Sequence, residues 1–174
     1  SSHADLNFGV GRGWMHDFDC SLQVEASTMR FSHGFLRSVE FPVVETDGER
    51  VVADGMTLVR VTSSCYRILR HAQPAMEFQF VSGTHRARLT RLVRGTHAIQ
   101  FFYDLRQRMT GIEDSAGRRL IVEEDDVGLV RKVELEATQL QGPRLLVRYV
   151  YDANGNLAET TNSQGSGYRF EYDH

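Results

Sequence analysis

Tyr151-Asp152-Ala153-Asn154-Gly155-Asn156-Leu157 opens a unit that closes 21 positions later on Tyr172-Asp173. Asn-Gly is the strongest short hairpin signal, because both central residues of a type I′ turn need positive φ. The stretch therefore predicts a β-hairpin closed by a type I′ turn, with Asp152 accepting backbone N–H groups at its mouth. Working outward, Tyr103-Asp104 and Glu124-Asp125 stand at the same spacing of 21, while Asp125 and Asp152 are 27 apart, as if one unit carried a six-residue insertion. A fixed period near twenty residues marks one supersecondary unit copied along the chain, each copy burying its apolar face on the next.

The copies agree residue by residue. Five positions after each reference Asp stand Met109, Val130 and Leu157, and three further on Ile112, Val133 and Thr160. Before each Asp the sequence alternates: Phe101 and Tyr103, Val122 and Glu124, Tyr149 and Tyr151, Phe170 and Tyr172. Residues two apart share a strand face, so each unit ends on a strand with an aromatic or apolar stripe. Ser115-Ala116-Gly117 and Ser163-Gln164-Gly165 read as return turns, and Gly142 is the candidate in the longer unit. Arg88–Leu92 mirrors Arg108–Ile112 at an offset of 20 and supplies a degenerate upstream copy.

The front half reads as β as well. Phe18, Cys20, Leu22 and Val24 alternate with polar residues, as do Phe35, Arg37, Val39 and Phe41 before Pro42, and Met76, Phe78 and Phe80 before Ser82-Gly83. Thr46-Asp47-Gly48 and Ala53-Asp54-Gly55 signal turns. No stretch has a helical period with caps. The expectation is an all-β chain, an antiparallel array of hairpins with little or no helix. Residues 1–82 form an opening region, and residues 83–174 form repeat hairpins at about 83–104, 104–125, 125–152 and 152–173, in one continuous sheet.

The run Tyr151-Asp152-x-x-Gly155-x-Leu157, then Gly165, then Phe170-x-Tyr172-Asp173, resembles the YD repeat of Rhs (rearrangement hot-spot) proteins. The units from Phe101 and Glu124 fit less well: Gln107 replaces the turn glycine and Glu124 the tyrosine. Gly11-Arg12-Gly13-Trp14, followed by Phe18-Asp19, is similar to the element that precedes the repeats in that family, with Phe18 in place of the usual tyrosine. The resemblance implies a structural role at Gly11, Gly13, Trp14, Tyr103, Asp104, Asp125, Tyr151, Asp152, Gly155, Gly165, Tyr172 and Asp173. It also implies a shell that encloses a C-terminal toxin domain until delivery, often by type VI secretion. Its partners are then the rest of the shell and the enclosed toxin, and its home a bacterial effector, cytoplasmic before export. The family's autoproteolytic Asp-Pro is missing, since none of Pro42, Pro74 and Pro143 follows Asp.

Composition narrows the alternatives. With 25% charged residues and a net charge of −3, the chain reads neither as disordered nor as a nucleic-acid binder. It has no apolar run long enough for a membrane span and no signal peptide. The opening Ser-Ser-His, without Met, reads as an excised fragment or a tag remnant. Cys20 and Cys65 make no disulfide framework; free thiols and a single bridge both stay open. Arg86, Arg88, Arg91 and Arg94 lie within an alternating strand and read as a solvated sheet face.

Chemistry is weakly signalled. His16-Asp17-Phe18-Asp19-Cys20 gathers possible ligands, but on a strand Cys20 shares its face with Phe18 and Leu22, as a structural cysteine does. No second His/Cys cluster completes a metal site. Asp152-x-Asn154-Gly155-Asn156 lacks a calcium loop's glycine at position six and acid at position twelve. Glu123–Asp126 reads as a solvated turn. The chain is accordingly expected to be no enzyme and to hold no cofactor and no metal. The competing class is a carbohydrate- or protein-binding β module of the adhesion type, with Tyr103, Tyr149, Tyr151, Tyr168 and Tyr172 as its platform. Unpaired end strands predict self-association edge to edge, or a terminal strand folded back.

Overall fold

The computed structural model describes residues 18, 20–33, 37–139 and 141–172. Gly11, Gly13, Trp14, His16, Asp17, Asp19, Phe35 and Asp173 lie outside them. Among the described residues there are fifteen strands and no helix, so none long and apolar enough to cross a membrane. The ladders between the strands are antiparallel. The expected all-β hairpin array is what the described residues form.

Two compact units divide the chain, residues 17–100 and the residues from Phe101 onward. In the first, β8 (Arg86–Arg94) organises the rest. One of its edges pairs with β7 (Ala75–Gln79). The other pairs with β1 (Cys20–Val24) near its start and with β9 (His97–Tyr103) near its end. From β1 the order runs to β2 (Thr28–His33) and β3 (Arg37–Pro42). From β7 it runs to β6 (Cys65–Arg70), β5 (Met56–Arg60) and β4 (Arg50–Ala53).

In a flat sheet β2 and β7 would stand three strand spacings apart, about 14 Å. Instead the rings of Phe31 and Phe78 meet edge to face at 5.8 Å. The sheet of this unit therefore curls over its own face. Leu22, Met29, Phe31, Phe41, Val44, Leu58, Ile68, Met76, Phe78 and Leu89 fill the interior, each under 2% exposed. The curl stops short of a ring, because β3 and β4 touch but share no ladder. The segment between them is tied down by charge. Glu49 accepts from the Glu45 and Thr46 N–H groups at 3.0 Å each, and Arg60 donates to the Val44 and Glu45 carbonyls and pairs with Asp47 at 3.0 Å. Glu77, the buried carboxylate of the unit, sits in a row across three strands: Arg67 at 3.1 Å and Arg91 at 3.1 Å flank it. Arg91 thus spends its charge within the sheet.

The second unit is a meander of β10 (Met109–Asp114), β11 (Arg119–Glu124), β12 (Val130–Leu135), β13 (Arg144–Tyr151), β14 (Leu157–Asn162) and β15 (Gly167–Arg169). Register assigns its two faces. Val122, Val133 and Val147 align across three strands; Tyr149, Thr160 and Tyr168 align beside them; Glu124 faces Val130, and Tyr151 faces Leu157. The opposite face carries Glu123, Lys132, Arg148, Glu159 and Arg169, with Lys132 3.0 Å from Glu123 and Arg169 3.1 Å from Glu159. Thr160 separates Tyr149 from Tyr168, so an aliphatic-hydroxyl residue interrupts the aromatic row there.

Close backbone approach fixes two glycines in this unit. A Cβ on Gly111 would lie 2.9 Å from the Leu120 carbonyl oxygen, and one on Gly167 would collide with the Thr160 carbonyl oxygen. Gly167→Ala is expected to release β15 while leaving the main melting transition in place. Hydrogen exchange checks it through the Phe170 amide, which donates to the Ala158 carbonyl at 2.9 Å and should lose its protection.

Candidate functional site

The repeat positions come together as turns. At Asp152 the turn is not type I′: Gly155 has φ 79°, but Asn154 is not in the left-handed region. The Gly155 N–H donates to the Asp152 carbonyl at 3.1 Å, and the Asp152 N–H to the Asn156 carbonyl at 2.9 Å. This is a three-residue loop, a type I turn followed by one left-handed residue. The Asn-Gly rule fails because Asp152 begins the turn one residue earlier than a two-residue loop would. The pattern of two positive φ angles in a two-residue loop appears instead at Asp54 (48°) and Gly55 (73°), between Ala53 and Met56.

Four further corners repeat the Asp152 geometry. The left-handed residue is Gln107, Gly117, Gly128 and Gly165 in the turns begun by Asp104, Asp114, Asp125 and Asn162. In each, the side-chain Oδ1 of the opening residue accepts two backbone N–H groups, two and four positions ahead, at 2.8–3.0 Å. Asp and Asn are the residues that reach their own backbone at this range. The second oxygen of each Asp takes a side chain: Arg108 Nε at 2.8 Å, Arg118 Nε at 2.7 Å, Arg131 Nε at 2.8 Å and Asn156 Nδ2 at 2.9 Å. Asp114 and Asn162 were absent from the expected set. Asp-x-x-Gly at 114–117 and Asn-x-x-Gly at 162–165 signal them, so the spacing of turns alternates between 10 and 11 within the 21. Gly142 does not join the set: its φ is not left-handed, and the longer unit returns through a bond from the Thr138 N–H to the Gln141 carbonyl.

The residue before the reference Asp locks one hairpin to the next. Tyr151 donates its hydroxyl to the Val130 carbonyl at 2.6 Å, and Tyr172 to the Leu157 carbonyl at 2.9 Å. Both acceptors stand five residues after the preceding reference Asp. Where Glu124 replaces tyrosine the same position is used with reversed polarity: its carboxylate accepts the Met109 N–H at 3.1 Å. Two ends of the meander also differ. Register shifts place an extra residue, Arg131 or Ala158, after the turns at Asp125 and Asp152; the pairings beside Asp114 and Asn162 run on without one. Arg131 uses its bulge position twice, pairing with Asp125 and lying over the Tyr151 ring at 5.0 Å.

Charge follows from these contacts. The Arg108 N–H holds the Asp104 carboxyl below its ordinary range, helped by the Arg108 guanidinium. The Arg118 side chain and N–H do the same for Asp114. Burial pushes Asp125 up, and the Leu129 N–H and Arg131 outweigh it, for a net lowering. Burial raises the phenols of Tyr149 and Tyr151, which keeps the Tyr151 proton on the hydroxyl that donates. The oxygens of Asp152 face three donors, so the resemblance to a calcium loop ends there. No group of three or more His, Cys, Asp or Glu among the described residues is placed to hold a metal. Cys20 is buried on the strand that carries Leu22, and neither Cys20 nor Cys65 is in a disulfide.

Tyr103, Tyr149 and Tyr151 are half-buried; Tyr168 is 74% exposed on the last strand, and Tyr172 is at the margin of exposure. No family model and no curated protein matches the chain.

Gln107, at φ 62°, occupies a position that costs a residue with a Cβ about 1 kcal/mol. Gln107→Gly is expected to raise stability by about 0.5–1 kcal/mol and Gly155→Ala to lower it by about 1 kcal/mol, both read by urea denaturation. The lowered carboxyls set the acid response. Their contribution is complete above the unfolded value of about 3.9 and is lost as pH falls through the lower folded values. Replacing Asp104, Asp114 and Asp125 together by Asn, the residue already at position 162, should flatten the acid-unfolding limb below about pH 4. An unchanged limb would place that sensitivity elsewhere.

Proposed function

We propose that this chain is non-catalytic wall material of an Rhs-like, YD-repeat protein whose hairpins build a shell around a C-terminal toxin domain. The observation that carries the reading is the recurrence of one caged turn at five corners. Together with the side chains of Glu124, Tyr151 and Tyr172, which join one hairpin to the one before it, this gives a unit that adds side by side. Bulges in three successive ladders, β11–β12, β12–β13 and β13–β14, favour winding, because each adds local twist and bends its strand. The two chemically distinct faces suit a wall that meets cargo on one side and solvent on the other. In this reading the protein is a bacterial effector, held in the cytoplasm before export, and its partners are the remaining shell and the enclosed toxin.

Limited proteolysis of the natural full-length protein tests the proposal. The segment after the repeats is expected to survive protease that digests the same segment expressed alone. Equal digestion of the two would remove the shell. The adhesion-type reading rests on Tyr168, whose exposed ring is a possible stacking platform. A glycan array run on wild type and Tyr168→Ala separates the two: binding lost with the ring would favour a carbohydrate-binding module over a wall.

A further inference from the structure

We propose that Asn154 is a covalent modification site, held inert while Asp152 cages its turn and converted to isoaspartate once that corner opens. The inference rests on the geometry of one turn and does not depend on the wall function.

Asn154-Gly155 is the single Asn-Gly pair in the chain. Glycine in second place leaves its nitrogen unhindered, because it carries no Cβ. In the reaction the Gly155 nitrogen attacks Cγ, the side-chain carbonyl carbon of Asn154. The N–Cγ bond forms as the Cγ–Nδ2 bond breaks, and Nδ2 leaves as ammonia with the Gly155 amide proton. The five-membered succinimide that results takes up one water and opens at either carbonyl. One opening leaves aspartate; the other leaves isoaspartate, with the main chain running through the side chain. Nothing is oxidised or reduced.

The five caged corners differ at this position. The residue before the left-handed one is Arg106, Ala116, Val127, Asn154 and Gln164 in turn. Gln164 is chemically nearest, but its extra methylene demands a six-membered ring. Asn154 is exposed and gives the cage only its backbone N–H. Asn156 and Asn162 use their side chains instead. Asn156 Nδ2 donates to Asp152 at 2.9 Å, and Asn162 Oδ1 accepts two N–H groups.

The turn itself blocks the reaction. The third residue of a type I turn has ψ of roughly 0°, which sets the next nitrogen over its own nitrogen and away from Cβ. Ring closure needs the Gly155 nitrogen swung round beneath Cβ. Two hydrogen bonds oppose that rotation: the Gly155 N–H donates to the Asp152 carbonyl at 3.1 Å, and the Asn154 N–H to Asp152 Oδ1 at 2.8 Å. The same Oδ1 holds the Asn156 N–H at 2.9 Å, beyond the bond that must turn. Reaction therefore waits on local opening of the corner. Isoaspartate adds one atom to the main chain between these anchors, so the three-residue loop cannot close again. A transient opening beside β14 thus becomes a permanent one.

Peptide-resolved mass spectrometry of the chain, incubated in mildly alkaline buffer, tests this. Aspartate and isoaspartate at position 154 should accumulate about tenfold or more slowly in the native chain than in the same chain unfolded in urea. Asp152→Ala removes the caging oxygen and should bring the native rate to within about threefold of the unfolded one. Asp152→Asn keeps an Oδ1, as Asn162 does, and should stay near the wild-type rate. Far-UV circular dichroism shows which variants keep their strands; where Asp152→Ala does not, the native and unfolded wild type decide alone. Equal rates in those two overturn the proposal. So does a folded Asp152→Ala chain that reacts as slowly as wild type, or an Asp152→Asn chain that reacts as fast as Asp152→Ala.

Discussion

One side-chain oxygen holding two backbone N–H groups is the interaction on which the second unit depends. A type I turn alone splays the strands it joins, because its twist opposes theirs. A left-handed residue after the turn corrects the mismatch, and the Oδ1 of Asp or Asn fixes that four-residue path by binding the N–H groups on both sides of it. Gln107 shows the relative strength of the two devices. It lacks the freedom of glycine, yet it adopts φ 62° where Asp104 supplies the cage. Asn162 shows that charge is dispensable for the cage, since a neutral amide oxygen makes the same pair of bonds at 2.9 and 3.0 Å. What the carboxylate adds is the second oxygen, which recruits Arg108, Arg118 and Arg131 and so links a turn to chain beyond it.

The short turns on the two rims of the meander differ in what surrounds the cage. On the rim of Asp125 and Asp152 a bulge follows the turn, and the residue before each Asp reaches back to the previous hairpin. On the opposite rim the turns at Asp114 and Asn162 close without a bulge, while the longer return between β12 and β13 is preceded by one between Val133 and Glu134. The Glu124 site shows that the contact between neighbouring hairpins is a positional constraint more than a tyrosine-specific one. A donor to a carbonyl and an acceptor from an N–H both satisfy a backbone group at the same point, and either prevents the loss incurred when a buried polar group goes unpaired.

Much of this was legible in the residues. Alternation of apolar and polar side chains fixed Val39 and Phe41 as interior, along with Leu22, Met76 and Phe78, because period two is a direct consequence of strand geometry. The 21-residue spacing found the reference Asp positions. It passed over Asp114 and Asn162 because a full period steps across the return turn, whose sequence shares only the opening Asx and the glycine. Asn154-Gly155 misled for a related reason: the dipeptide rule presumes a two-residue loop, and the caging Asp152 lengthens it to three. Neither the branch at β8 nor the curl that brings Phe31 onto Phe78 can be read from local pattern, since both are set by pairings between distant strands. Arg67, Glu77 and Arg91 each look like ordinary solvated charges in sequence. Only register makes them a row.

The two units consequently hold together by different means. Residues 17–100 depend on a filled interior assembled from strands far apart in sequence, so closing it costs loop entropy before the packing is gained. From Phe101 onward most ladders join neighbours through a short turn, few side chains are fully buried, and Glu124, Tyr151 and Tyr172 each tie one hairpin to the one before it. Stability there approximates a sum of local terms, as in other stacked repeats. Damage to one corner loosens its own hairpin and the neighbour it braces, whereas a cavity opened at Phe78 would be felt by every strand that packs on it. A sheet built from such local terms tolerates a longer unit, such as the one between Asp125 and Asp152, because the extra residues enter a loop and one bulge, between Val133 and Glu134, and the ladder of β12 and β13 continues on either side of it.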